Sequence, residues 1–253
     1  MMKNINIVAL NYDIKWKDKQ SNFDHIEAQL GSISADLFVL PEMFSTGFSM
    51  NCEEIADRSD EILSWMKTFA AKTNTAVCGS AAVFENDNFY NRFYFVEAGG
   101  NCQQYDKRHL FSFAGEEKVY TSGEERVIVN FKGWRILLQV CYDLRFPVFS
   151  RNKKDYDAIL YVANWPERRI DAWNTLLKAR AIENQSYVFG VNRIGNDGNK
   201  LHYPASTYCF FADGSLSSSQ EKNIVSAEFE ADKLETFRRK FQFLKDGDDF
   251  EIV

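Results

Sequence analysis

Leu137-Leu138-Gln139-Val140-Cys141-Tyr142-Asp143-Leu144-Arg145-Phe146-Pro147 is an apolar run that stops at a cysteine. Trp134 to Val140 has the length and content of a buried strand, and polar, charged and turn-forming residues follow the cysteine at once. A thiol at the exit of a buried strand is held by the sheet and still reaches a cleft, which suits a nucleophile. Two other segments repeat the design with different chemistry. Leu37-Phe38-Val39-Leu40-Pro41-Glu42 ends an apolar strand in a carboxylate. Gln103-Gln104-Tyr105-Asp106-Lys107-Arg108-His109-Leu110-Phe111 carries a lysine between a strand-like segment and a loop. A carboxylate, an ammonium and a thiol, each at a strand exit, make a candidate catalytic set.

On both sides of these segments strand and helix patterns alternate. Asn6 to Asn11, Asp36 to Leu40 and Thr75 to Ala82 read as strands. Between them lie an amphipathic helix from Asn22 to Leu30 and a second from Ser59 to Lys72, the latter with Ser59 or Asp60 as its cap. Strands follow at Phe89 to Glu97, Asn101 to Asp106, Val127 to Phe131 and Trp134 to Val140, with Gly99-Gly100 and Lys132-Gly133 as turns. Beyond Cys141 the pattern gives a helix from Pro147 to about Lys153, a buried strand from Ala158 to Ala163, and a long helix from Arg168 to Gln185. Strands at Tyr187 to Val191, Thr207 to Phe211 and Ile224 to Phe229 and a helix at Asp232 to Phe241 complete the chain. Such alternation implies an α/β protein whose sheets are covered by helices, and a doubly wound open sheet fits it as well as other arrangements do. With no linker or repeat, residues 1–253 are expected to form a single domain.

The chain of 253 residues is 45% hydrophobic, 26% charged and 15% aromatic, so any pocket should be rich in aromatic rings. A net charge of -6 argues against nucleic acid as a partner. No apolar run approaches the roughly 18 residues of a membrane helix, and Ile5 to Leu10 is too short for a signal peptide. A cytoplasmic enzyme without membrane contact is expected. The five cysteines are odd in number and show no Cys-x-x-Cys spacing, and the three histidines are scattered, so neither a disulfide framework nor a metal site is expected.

With Glu42 in Leu-Pro-Glu-Met-Phe, Lys107 in Tyr-Asp-Lys-Arg-His-Leu-Phe and Cys141 in Val-Cys-Tyr-Asp-Leu-Arg-Phe-Pro, the chain resembles the nitrilase superfamily of carbon–nitrogen hydrolases. The likeness runs from Asn6 to about Phe229. Within the superfamily the chain looks most like the omega-amidases, which hydrolyse the terminal amide of 2-oxoglutaramate or 2-oxosuccinamate. Pro41-Glu42-Met43-Phe44-Ser45-Thr46-Gly47-Phe48, Lys107-Arg108-His109-Leu110-Phe111 and Tyr161-Val162-Ala163-Asn164-Trp165-Pro166 carry that closer match. The resemblance implies a four-layer α-β-β-α sandwich of two mixed sheets, no cofactor, a small amide as substrate and a homodimer.

It also implies roles. Glu42 is the general base, Cys141 the nucleophile, and Lys107 with the backbone N–H of Tyr142 holds the oxyanion. The family uses a second glutamate after the lysine loop, and Glu116 fits its distance to Gly123 better than Glu117 does. Omega-amidase substrates carry a remote carboxylate, for which Arg145 is a candidate partner and Arg108 and Arg168 weaker ones. An ion pair of Arg145 with Asp143 is an equal alternative. Phe44, Phe48, Phe113, Tyr142 and Trp165 are candidates for an aromatic pocket wall, with core packing as the plainer reading of each.

Cys78, in Thr75-Ala76-Val77-Cys78-Gly79-Ser80, has a setting similar to that of Cys141 but lacks the polar sequel, while Cys209 among aromatic residues reads as core. His109 invites comparison with cysteine–histidine dyads, but the resemblance gives the base role to glutamate and leaves His109 to support the loop. Amidases of larger amides such as deaminated glutathione, hydrolases of N-carbamoyl compounds, nitrilases, and a non-catalytic protein on the same fold are the competing readings.

Overall fold

The computed structural model describes residues 2–252. Its longer strands form two mixed sheets. The first contains β1 (Ile5–Leu10), β2 (Leu37–Val39), β3 (Ala76–Glu85), β4 (Asn88–Val96), β5 (Cys102–Asp106), β13 (Ser218–Glu221) and β14 (Ile224–Phe229), in the order β13-β14-β1-β2-β3-β4-β5. The second contains β6 (Ile128–Phe131), β7 (Trp134–Val140), β8 (Ala158–Ala163), β9 (Tyr187–Asn192) and β12 (Tyr208–Phe210), in the order β12-β9-β8-β7-β6. A separate hairpin pairs β10 (Gly195–Asn196) with β11 (His202–Tyr203). The helices are α1 (Lys19–Leu30), α2 (Cys52–Ile55), α3 (Glu61–Thr73), α4 (Pro147–Ser150), α5 (Ile170–Asn184) and α6 (Ala231–Lys240).

The residue alternation along each strand explains the layering. Leu37 and Val39 of β2 share one apolar cluster with Ile136, Leu138 and Val140 of β7, so the two sheets face each other there. Phe38 and Leu40 point the other way and pack with Phe23, Ile26, Met66 and Phe69 of α1 and α3. On the second sheet Leu137, Ile159 and Val188 turn outward beneath Trp173 and Leu177 of α5. The result is the four-layer α-β-β-α sandwich. Strands buried on both faces read as unbroken apolar runs, which is why the sequence shows them without alternation. Each fully buried aliphatic side chain in these layers contributes about 1.5–3 kcal/mol.

Strand and helix boundaries fall within a few residues of the sequence expectation, with physical reasons for the exceptions. Asp60, one of the two expected residues, occupies the N-cap position of α3, but its side chain makes no capping bond. Asp57 accepts hydrogen bonds from the N–H groups of Ser59 (3.1 Å), Glu61 (3.2 Å) and Ile62 (2.7 Å), while Asp60 adopts a left-handed conformation, φ 57°. Helix α4 stops at Ser150 because Arg151 turns extended, ψ 129°. Gly79 lies within β3, not in a turn; a Cβ there would meet that of Leu40 at 2.9 Å, so glycine is what permits the close approach. The sequence reading did not anticipate β13, the β10–β11 hairpin or α2.

Parallel pairing fixes where the chemistry gathers. Strand β2 runs parallel to β1 and β3, and β7, β8 and β9 run parallel to one another. Glu42, Cys141, Asn164 and Arg193 follow the carboxyl ends of β2, β7, β8 and β9. Among the described residues no helix is long and apolar enough to cross a membrane.

Candidate active site

Cys141 leaves β7 with φ 46° and opens a single 3-10 turn, Cys141–Arg145. A left-handed conformation at a residue with a Cβ is unfavourable, and the neighbouring Asp143 supplies bonding that holds the turn. The fully buried Asp143 accepts hydrogen bonds from Val140 N–H (2.9 Å), Tyr105 Oη (2.8 Å) and His109 N–H (3.0 Å), and its Oδ1 lies 2.7 Å from His109 Nδ1. One carboxylate therefore ties the Cys141 turn to the loop after β5.

That loop delivers Lys107. Its backbone N–H donates to Asn91 O (3.0 Å), and its carbonyl accepts from Gly123 N–H (3.0 Å). A Cβ on Gly123 would fall 2.1 Å from Asp106 O, so only glycine lets the following segment close against the lysine. The ammonium donates to Glu42 Oε1 (3.0 Å) and to both oxygens of Glu116 (3.0 and 2.8 Å), and all three side chains have zero exposure. Glu42 Oε1 also accepts from Asn91 Nδ2 (2.8 Å), and its Oε2 accepts from Asn164 N–H (2.8 Å). Phe111 N–H donates to Glu116 Oε2 at 2.5 Å. Glu117, the neighbour weighed against Glu116, is exposed.

Two carboxylates thus share one buried ammonium beside the thiol. Burial works against the Lys107 charge, but Glu116 and Glu42 outweigh it and hold its pKa above the ordinary lysine range. The Glu116 carboxyl is pushed up, chiefly by burial, with Lys107 opposing and Glu42 adding. Burial pushes the Cys141 thiol well up, Glu42 and Glu116 add to it, and Lys107 opposes. These influences favour the protonated thiol, and a nucleophilic role for it would require a nearby base to take the proton.

The thiol, Lys107 and Asn164 line a cavity of about 370 Å³. Phe48, Tyr142 and Trp165 give it aromatic walls, and Asp197, Asn199, Leu201 and Tyr203 of the β10–β11 hairpin close one side. Arg145 and Arg169 also face it. Arg145 lies over the Trp165 ring (5.1 Å) and Arg169 over that of Phe111 (5.0 Å), and neither makes an ion pair among the described residues. The carboxylate of Asp197 is already engaged by Asn199 N–H (2.8 Å), Leu201 N–H (2.9 Å) and Tyr203 Oη (2.9 Å).

Of the residues anticipated from sequence, Glu42, Lys107, Cys141 and Glu116 come together, and Tyr142, Arg145, Phe48 and Trp165 line the cavity. Two aromatic assignments are corrected. Phe44 is wholly buried against Phe23 and Trp65 on the outer face of the first sheet, because Met43 at φ 46° reverses the chain and sends Phe44 N–H to Ser80 O (3.1 Å). Phe113 is 86% exposed on a 3-10 turn, and its neighbours Phe111 and Ala114 line the cavity in its place. The Arg145–Asp143 ion pair does not form, since Asp143 is saturated by the lysine loop. Arg108 donates to Glu124 O and lies outside the cavity, and the wall cation is Arg169, not Arg168. His109 stacks on Phe146 (3.9 Å) and supports the loop. Cys78 is sealed inside β3.

Sequence reasoning missed Asn91, Asn164 and the hairpin wall. Asn164 had a signal: it is the first polar residue after the apolar run of β8, the same strand-exit placement as Cys141. Asn91 shares an aromatic strand with Asn88, one buried and the other exposed, and nothing in their spacing tells which is which.

Residues 5–239 match the sequence pattern of the carbon-nitrogen hydrolase family. The chain is 44% identical to an omega-amidase, YafV, of Yersinia enterocolitica, over 100% of both chains. It is 35% identical to a 2-oxoglutaramate amidase of Bacillus subtilis, over 76% of this chain and 77% of that one. Among solved structures, XC1258 of Xanthomonas campestris, a CN-hydrolase superfamily protein with an arsenic adduct in its active site, is 38% identical with a TM-score of 0.96 over 100% of both chains.

Proposed function

The chain belongs to the carbon–nitrogen hydrolase family, and from that membership we propose that it is an omega-amidase, releasing ammonia from the terminal amide of 2-oxoglutaramate, 2-oxosuccinamate or a close analogue. The similarity to an omega-amidase and a 2-oxoglutaramate amidase supports the substrate class.

In the proposed reaction Glu42 takes the thiol proton as Cys141 Sγ bonds to the amide carbon. The carbonyl oxygen becomes an oxyanion facing the Lys107 ammonium and the N–H of Tyr142. Tyr142 is the second residue of its 3-10 turn, so its N–H has no acceptor within that turn and is available. One such donor is worth about 10²–10³ in rate. Protonated Glu42 then gives its proton to the amide nitrogen, the C–N bond breaks, and ammonia leaves a thioester on Cys141. Water attacks that thioester with carboxylate assistance, and the carbon–sulfur bond breaks to restore the thiol and release the acid. Glu116, with two contacts to Lys107, orients the ammonium.

The observation that carries this reading is the meeting, in one cavity of about 370 Å³, of a thiol and an ammonium, the latter held from beneath by two buried carboxylates, with two guanidinium groups that make no ion pair among the described residues. The cavity is at the small end of the roughly 300–1,000 Å³ usual for ligand sites. A short acid with an amide at one end and a carboxylate at the other suits both features. The test is ammonia release across a panel of omega-amides with and without a remote carboxylate, nitriles and N-carbamoyl amino acids. The 2-oxo acid monoamides should give the highest kcat/KM, and a nitrile or carbamoyl substrate turned over faster would overturn the proposal.

A further inference from the structure

We infer that Asn91 is a positioning residue of the reaction, its side-chain amide clamping both buried glutamates against the single ammonium. The inference rests on the roles proposed above for Glu42, Lys107 and Glu116.

Asn91 sits within β4 with zero exposure, and its own carbonyl accepts the Lys107 N–H at 3.0 Å. Its side chain therefore contacts both carboxylates, and its backbone holds the main chain of the residue that carries the ammonium. Its Nδ2 carries two hydrogens and meets two acceptors, Glu42 Oε1 at 2.8 Å and Glu116 Oε1 at 3.3 Å. The opposite amide orientation would set Oδ1 against two carboxylate oxygens, so the charges fix which end points inward. Lys107 Nζ donates to the same two oxygens, each at 3.0 Å. The Oε1 atoms of the two glutamates are thus bridged twice, once by a cation and once by a neutral amide.

The neutrality matters. Two carboxylates in a dry site repel, and one ammonium cannot neutralise both. A second cation would offset the repulsion but would also change the charge presented to the thiol and the oxyanion. An amide supplies hydrogen bonds to the carboxyl groups and adds no charge. The other titratable groups facing the pair are Cys141 at the exit of β7, Cys52 of α2 and Tyr120 beyond the glutamate turn. Burial pushes all three up, so they are neutral at neutral pH and leave the clamp to Lys107 and Asn91.

The test uses the full-length Asn91→Ala and Asn91→Asp proteins. In Asn91→Ala, kcat should fall about ten- to hundred-fold with KM little changed, since the lost bonds are to carboxyl groups away from the remote end of the substrate. Losing a donor to a carboxylate favours its protonated form, so the acid limb of kcat/KM should move up by about one pH unit. Asn91→Asp places a third carboxylate beside the pair and should move the limb further. Carbon-13 NMR titration of the Glu116 carboxyl, assigned by its loss in Glu116→Gln, should show the same upward move. That readout needs no substrate, so it decides the clamp even if every amide in the panel is refused. Should neither variant fold, the Asn91 side-chain amide protons of the unaltered protein should shift with pH on the midpoint of the acid limb. An unmoved limb and carboxyl titration, a KM that rises as much as kcat falls, or amide signals indifferent to pH would overturn the inference.

Discussion

At the floor of the cavity Lys107 joins the lining, and Glu42 and Glu116 lie beneath it; all three have zero exposure and are joined by three hydrogen bonds through one ammonium. On its wall Arg145 and Arg169 lie over aromatic rings and make no ion pair among the described residues, one in the turn beginning at Cys141 and the other in the turn before α5. The floor is fixed before any substrate arrives, because each charge already has its partner and moving one would strand the others. The wall keeps its cations uncommitted. The contrast teaches that reactivity and recognition are separable here: floor changes should act on kcat, and wall changes on KM.

The sharpest way to break that contrast is Cys141→Ala. Turnover should drop by about 10⁴-fold or more with the fold retained, because the residue packs only partly against the core. Cys78→Ala is the matched control. Buried in β3 with no ionised partner, it should leave kcat and KM alone and cost about 1 kcal/mol in stability by chemical denaturation. Equal activity losses in both variants would mean that the floor is not where the nucleophile sits.

Next is Glu42→Gln. Removal of the proposed base should lower kcat by about 10²–10⁴-fold. The same change removes a negative charge that raises the Cys141 thiol, so the thiolate should form at lower pH than in the parent. Iodoacetamide should then label Cys141 faster at neutral pH while hydrolysis is lost. Labelling that slows in step with turnover would contradict the charge relation drawn between the two residues.

The smallest effects belong to the wall. Arg145→Gln and Arg169→Gln should each raise KM for a carboxylate-bearing amide by about ten-fold and leave kcat nearly unchanged. An amide lacking the remote carboxylate should be indifferent to both changes. A fall in kcat alone would join the guanidinium groups to the floor and remove the distinction.

The sequence was most legible where an apolar run ended abruptly. Glu42 and Cys141 could be located because a buried strand cannot continue into polar residues without leaving the sheet, whereas Lys107 follows the polar, half-buried strand β5 and was placed by the resemblance. The pairing of the sheets was not legible by periodicity, since Val39 and Leu138 look alike whether their strands lie side by side or face each other; that arrangement came from family resemblance. Phe44 and Phe48 were indistinguishable until the left-handed turn at Met43 sent one inward and left the other beside the thiol. Arg168 and Arg169 differ by one step of a 3-10 turn, which spacing does not resolve. The edge strand Ser218–Glu221 is polar throughout and carries no burial signal. The hairpin wall rests on two-residue strands, too short for any pattern to register.

Rapid acid quench of the enzyme during turnover of 2-oxoglutaramate, followed by peptide mass spectrometry, addresses the covalent chemistry directly. The peptide containing Cys141 should carry the acyl group left after ammonia departs, and this adduct should be absent in Cys141→Ala. Sustained ammonia release with the Cys141 peptide unmodified at every quench time, and undiminished in that variant, would contradict attack by the sulfur.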